Sequence, residues 1–238
     1  MKKLTLLALL FFACPWRASA TITGLTPVSS PGCNNSTNSC SITIPSSGAG
    51  DAAIIWWRGG GGNNITAVSG GGTWTIAANC ASNFASRAVN CAYILSMAGG
   101  TTTVSVTFPT INTVSGFVYQ EFSYTGSSMA VDVVGTNVSN STSATTQTGL
   151  ALTLGGSNDV IVQAIVPGLG ATSITTYGSF ATSSDIASAS LVNTTSGTAP
   201  TWTLSGSSTA TTGAIALKEM SSGGSGFVPQ IGGFMVGP

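Results

Sequence analysis

Histidine is absent from all 238 residues, and charge is scarce: six Lys and Arg stand against six Asp and Glu, only 5% of the chain. A globular domain ordinarily carries about a quarter of its residues as charged side chains. The first absence excludes a histidine-based triad, an imidazole general base and a histidine-held zinc or haem. The second excludes a surface that tracks nucleic-acid phosphates, because such a surface needs many Lys and Arg. After the N-terminal segment no run of about 18 apolar residues occurs, so no transmembrane segment is expected. Helix signals are equally thin, since no window longer than about ten residues keeps an i, i+3, i+4 apolar stripe free of Gly or β-branched clusters. Hydroxyl and glycine fill the chain instead, with 68 Ser and Thr and 31 Gly.

The N-terminus has its own pattern. Met1-Lys2-Lys3 is a positive start, residues 4–13 are an apolar run, and Ala18-Ser19-Ala20 is a small-residue cleavage site. This reads as a bacterial-type secretory signal cleaved near Ala20, which predicts a secreted or cell-surface protein. Lipoprotein processing at Cys14 is the competing reading, but Phe11-Phe12-Ala13-Cys14 has Phe where an aliphatic residue is usual. Removal of residues 1–20 leaves Arg58, Arg87 and Lys218 against Asp51, Glu121, Asp132, Asp159, Asp185 and Glu219, a net charge of −3.

Four cysteines remain, an even number suited to an oxidising compartment: Cys33, Cys40, Cys80 and Cys91. Spacing favours the local disulfides Cys33 with Cys40 and Cys80 with Cys91, each closing a short loop and contributing roughly 2 to 3 kcal/mol. The alternatives are free thiols or a four-thiolate metal site. The latter lacks the tight C-x-x-C pairs that zinc favours, so neither metal nor cofactor is expected.

A period of two runs along most of the chain. Val104, Val106 and Phe108 alternate with hydroxyl residues over 103–108, and the 117–122 segment alternates similarly, the mark of half-buried strands. Further strands are expected near 41–44, 73–79, 91–97, 129–134, 149–154, 201–204 and 210–217. Two segments, 52–57 and 160–166, are nearly continuous apolar runs, as expected for central strands covered on both faces. About a dozen short strands in one uninterrupted series predict an all-β, antiparallel two-sheet sandwich over 21–219, with Val104, Val106, Phe108, Val131, Val162, Trp202 and Leu204 inward. A Gly-rich linker and short apolar tail, 220–238, follow. With one Lys after residue 20, the sheets lack charged edge protection, so the edges are either covered or used for association.

The series Asp51-Ala-Ala-Ile-Ile-Trp-Trp, Gly72-Thr-Trp-Thr-Ile, Cys91-Ala-Tyr-Ile-Leu, Thr103-Val-Ser-Val-Thr-Phe, Tyr119-Gln-Glu-Phe-Ser-Tyr-Thr-Gly, Val131-Asp-Val-Val-Gly, Thr201-Trp-Thr-Leu-Ser-Gly and Ala214-Ile-Ala-Leu-Lys-Glu resembles a jelly-roll-like β-sandwich domain. That domain occurs in uncharacterised secreted and surface proteins of bacteria and in some phage structural proteins. The resemblance covers most of 41–219 and implies a module for adhesion, carbohydrate contact or surface display, without catalytic residues to carry over.

Candidate chemistry is sparse. Glu121 shares a strand face with Phe117 and Tyr119, so partial burial should raise its pKa; Asp132 is a conceivable second carboxylate for glycoside hydrolysis. The simpler expectation is that Glu121 pairs with a cation such as Arg58 or caps a turn inside the sandwich. The glycine run 59–62 lacks the Lys and the helix of a phosphate cradle and reads as a flexible loop. Trp56 and Trp57 point to opposite faces of a strand, so one is core. If Trp57 is exposed beside Asn63 and Asn64, a sugar could stack there, and Trp74 and Tyr93 are further aromatic candidates. Burial of Trp57 is the commoner outcome. A loop calcium site has no acidic cluster behind it beyond Asn158-Asp159.

Three function classes follow: a secreted structural or adhesive module without catalysis, a carbohydrate-binding module, and a glycan hydrolase using Glu121. The expected partners are an extracellular glycan, another surface protein, or a second copy joined through a sheet edge or the tail 227–238.

Overall fold

The computed structural model describes residues 21–31, 38–60, 65–77, 82–84, 87–108, 114–183 and 185–220. Every regular element among them is a strand, and the pairings are antiparallel. Among the described residues no helix is long and apolar enough to cross a membrane. Residues 1–20, read above as a signal segment, Asn63, Asn64, Cys33, Cys80 and the tail 221–238 lie outside these residues.

Three sheets stack in layers. In the central sheet β4 (Ala52–Gly60) lies between β10 (Val114–Tyr124) and β8 (Arg87–Ile94); β1 (Ile22–Gly24) and β2 (Val28–Ser30) extend the β10 side, and β6 (Thr75–Ile76) and β7 (Ser82–Phe84) the β8 side. A second sheet places β12 (Asp159–Pro167) between β15 (Ile186–Thr194) and β16 (Thr201–Met220), with β14 (Gly178–Ser183) outside β15 and both β11 (Ser128–Thr148) and β13 (Ala171–Ile174) along β16. The third is small: β9 (Thr103–Thr107) between β3 (Ser39–Thr43) and β5 (Ala67–Ser69).

The main core fills the space between the two large sheets, where Ile54, Trp56, Val118 and Phe122 meet Val160, Val162, Ile215 and Leu217. On its other face the central sheet packs Ile55, Trp57, Phe117 and Tyr119 against Ile42, Val104 and Val106 of the small sheet. A third cluster, with Ile161, Ile165 and Trp202, covers the outer face of the second sheet. This explains the two continuous apolar runs. β4 and β12 are central strands apolar on both faces because both faces are covered. The small sheet is an addition to the expected two, and it follows from the same fact: Ile55 and Trp57 need a cover as much as Ile54 and Trp56. β10 proves fully buried from Phe117 to Phe122 rather than half-buried, for the same reason.

Of the expected inward residues, Val104, Val106, Phe108, Val162, Trp202 and Leu204 are buried, and Val131 packs half-buried against the main core. The chain fills the central and small sheets with residues 22–124 and the second sheet with 128–220, crossing between the large sheets once, at 125–127. This segregation differs from a jelly-roll wrapping, in which strands alternate between the two sheets.

Segment 149–154 is not a strand, although Leu150, Leu152 and Leu154 alternate and do pack on the third cluster. Its backbone is satisfied differently. Gly149 N–H donates to Pro200 O at 2.8 Å and Leu152 N–H to Gly197 O at 2.7 Å. The buried Gln163 amide accepts from Leu150 N–H at 2.9 Å and donates to Leu150 O at 2.6 Å. Residues 201–217, expected as two strands, run as one within β16. The edges lack charge but are blunted in other ways: most described edge strands have six residues or fewer, and the long edge β11 shifts register at four places. Short strands and bulges obstruct strand addition as charges do.

Candidate functional site

Glu121 lies on the β10 face that carries Phe117 and Tyr119, and it is 3% exposed. One of its partners lies on the same strand and the others come from the turn leading into β4. Ser47 N–H and Gly50 N–H donate to Thr101 O and Met97 O at 3.0 and 2.8 Å, pinning that turn to 97–101. Pinned this way, Gly48 N–H donates to Glu121 Oε1 at 3.1 Å, while the Tyr119 hydroxyl donates to Oε2 at 2.7 Å. The Asp51 carboxyl, next in the turn, hydrogen-bonds the Glu121 carboxyl; burial first, then that shared bond and the charge of Glu121, push Asp51 up to about 6. Burial and Glu121 likewise push the Tyr119 phenol upward. Gly48 packs closely on the same carboxyl, since a Cβ there would fall 2.4 Å from Asp51 Oδ2 and the Asp51 side chain would have to shift. A cavity of about 240 Å³, lined by Leu25, Thr26, Pro45, Ser46, Tyr119 and Glu121, opens beside the pair.

A second carboxyl pair stands at the start of β12. Asp159 is fully buried next to Asp132 of β11, and burial followed by the charge of Asp132 pushes it up to about 6. Against the opposing effect of burial, the Gly155 N–H and the Lys218 ammonium hold Asp132 below the usual carboxylate range. Those donors lie 2.6 Å from Asp132 Oδ2 and 2.9 Å from Oδ1. Glu219 accepts from Gly126 N–H and, at 2.8 Å, from the Asn158 amide.

Both pairs occupy one end of the sandwich. Asp51 and Asp159 stand where β4 and β12 begin, and Glu121, Lys218 and Glu219 lie near the ends of β10 and β16. Tyr124 is pushed up by burial and then by the charges of both Asp51 and Glu219, which places the two groups within electrostatic reach of one residue. Arg58 and Asp185 pair with each other at the opposite end of β4.

Several expectations are corrected by this arrangement. Asp132 is not the companion of Glu121; Asp51 is, and the sequence reading passed over it. The available signal was an Asp between a Gly-rich turn and an apolar central strand, a position where a carboxylate is buried at once. Arg58 does not neutralise Glu121, because the strand carries it to the far end. Trp57, like Trp56, is 0% exposed and offers no face to a ligand, since the small sheet covers it. Trp74 leans on the same cluster with its indole N–H donating to Gly70 O at 2.7 Å, whereas half-buried Tyr93 belongs to the other face of the central sheet. Those aromatics therefore form no common platform. Tyr93 instead lines a shallow groove of about 360 Å³ with Thr73, Thr75, Ile94, Leu95 and Ser96.

Asn158 is occupied by Glu219, and among the described residues no group of three or more Cys, Asp and Glu is arranged to hold a metal ion. Cys40 and Cys91 are each disulfide-bonded. They lie in clusters on opposite faces of the central sheet, so they are not each other's partner. No known protein family, curated protein or solved structure matches the chain.

Proposed function

We propose that this chain is an exported structural or adhesive surface module that acts by contact rather than by catalysis. One observation carries the reading. Of the six carboxylates, five (Asp51, Glu121, Asp132, Asp159 and Glu219) have their side chains buried in contacts with one another, with backbone or with Lys218. Outward strand positions are left to Ser and Thr, as in β3, where Ser39, Ser41 and Thr43 are exposed between Cys40 and Ile42. Such a surface suits neutral targets, a glycan or another hydroxyl-rich protein, which hydroxyls meet as both donor and acceptor. Glycan hydrolysis is the weaker reading, because Asp51 and Glu121 touch, whereas hydrolases hold their two carboxyls roughly 5 Å or more apart around the scissile bond.

The test applies labelled chain to insoluble neutral polysaccharides and to bacterial cells, with reducing ends assayed in the same tubes. Retention without release of reducing ends is expected. Release abolished by Glu121→Gln overturns the reading in favour of a hydrolase, and failure to be retained on any surface removes the adhesive part. The groove at Tyr93 favours the carbohydrate-binding version, since an aromatic ring bordered by Thr73, Thr75 and Ser96 hydroxyls matches a sugar's apolar face and polar rim. Tyr93→Ala should then reduce retention at least about tenfold.

A further inference from the structure

We infer that the end of the sandwich carrying Asp51 and Asp159 is a pH-sensitive latch: the glycine turns at 48–50 and 155–156 stay shut while each carboxyl pair shares a proton, and they loosen when both members of a pair ionise. The hydrogen bond between the Asp51 and Glu121 carboxyls needs one proton between them. Asp159 is fully buried beside Asp132, with the Gly156 N–H as its backbone donor, so two charges there would lie close together out of water.

The turns pack closely on the carboxyls they face. A Cβ on Gly48 would lie 2.4 Å from Asp51 Oδ2, and one on Gly156 would lie 2.0 Å from Asp159 Oδ1. The Gly48 N–H also donates to Glu121 and the Gly155 N–H to Asp132, so repulsion between two ionised carboxylates is carried directly to the turn. The second turn also ends the segment whose Leu150, Leu152 and Leu154 pack on the third cluster, so its release loosens that cover.

The facing groups set the direction of the response. Asp51 meets Glu121, Tyr119 and Tyr124, all on β10, and no cation; the small sheet contributes no charged residue. Asp159 meets Asp132 on β11 and Lys218 on β16, with Glu219 held nearby through Asn158 and only Thr194 opposite on β15. With no histidine in the chain, and with Cys40 and Cys91 in disulfides, little else titrates between pH 5 and 8. A carboxyl raised from 3.8 to about 6 on folding stabilises fully below 3.8, and that contribution is lost as pH rises through about 6.

Hydrogen exchange on the full chain, corrected for intrinsic rates, tests this at pH 5 and pH 8. Amides at 48–51 and 155–159 should lose protection at pH 8 by about tenfold, which is what one carboxyl per turn raised from 3.8 to about 6 gives between pH 5 and 8. Strand β9 and the Arg58 end should change little. Asp51→Asn and Asp159→Asn should each abolish the pH dependence of their own turn alone. Equal protection at both pH values, or the same loss at both ends, overturns the proposal. If a variant fails to fold, carboxyl ¹³C titration of the wild type decides, and midpoints below about 4.5 for both Asp51 and Asp159 overturn it equally.

Discussion

The two large sheets start their central strands in the same way and finish the job with different partners. In each, a glycine-containing segment delivers an Asp, Asp51 or Asp159, to the start of an apolar strand, and a second carboxyl from a neighbouring strand meets it. In the central sheet that second carboxyl is Glu121, which takes its donors from the neutral Tyr119 hydroxyl and the Gly48 amide. In the second sheet it is Asp132, which takes them from the Lys218 ammonium and the Gly155 amide. The difference shows what a buried carboxyl pair needs. One member is supplied with donors and the other holds the proton, and a cation is one way of arranging this but not the only one.

Removing the cation should break the second pair hardest. Lys218→Met leaves Asp132 buried without its counter-charge and is expected to cost about 2 to 3 kcal/mol in urea unfolding at pH 7, discounted because the ammonium is partly exposed. The same variant should steepen the loss of stability with rising pH, since Asp132 then resists ionisation as Asp51 does. Next in size, Asp51→Asn or Asp159→Asn should stabilise the chain by about 2 kcal/mol at pH 8 and change it little at pH 4, because each amide mimics the protonated acid. Thermal midpoints across that range check the sign; a wild type that gains stability from pH 5 to 8 would contradict it. Tyr119→Phe takes one donor from Glu121 and should cost about 1 kcal/mol, less than Lys218→Met because the lost partner is neutral. Smallest of all, Tyr93→Ala at the open groove should change stability by less than about 1 kcal/mol while altering glycan retention. A larger loss would assign Tyr93 to the core rather than to a ligand.

Much of the fold could be read before any coordinates, and the errors share a cause. Alternation at Leu150, Leu152 and Leu154 reported which side chains are buried, and it was right about that. It could not report where the backbone bonds go, and Gln163, Gly197 and Pro200 took those bonds in place of a neighbouring strand. For the same reason the continuous run 52–57 declared that both faces of β4 are covered but not that a third sheet supplies one cover. Burial of Trp57 is the commoner expectation from its position, and it is this third sheet that supplies the cover. For the disulfides, non-reducing peptide mapping should link Cys33 with Cys40 and Cys80 with Cys91; a Cys40–Cys80 link would refute the spacing argument.

By itself the sequence determined the all-β class, the strands that must lie in the middle, and a chemistry without imidazole, because composition and period are local properties of the chain. The tertiary structure alone decided which carboxyls meet. Gly48 and Glu121 stand 73 residues apart, and Asp132 and Lys218 stand 86 apart. Nothing in a strand's own period names the strand it will lie beside, and a carboxyl's proton affinity depends on burial and on neighbours that only the packed sheets bring within hydrogen-bond reach.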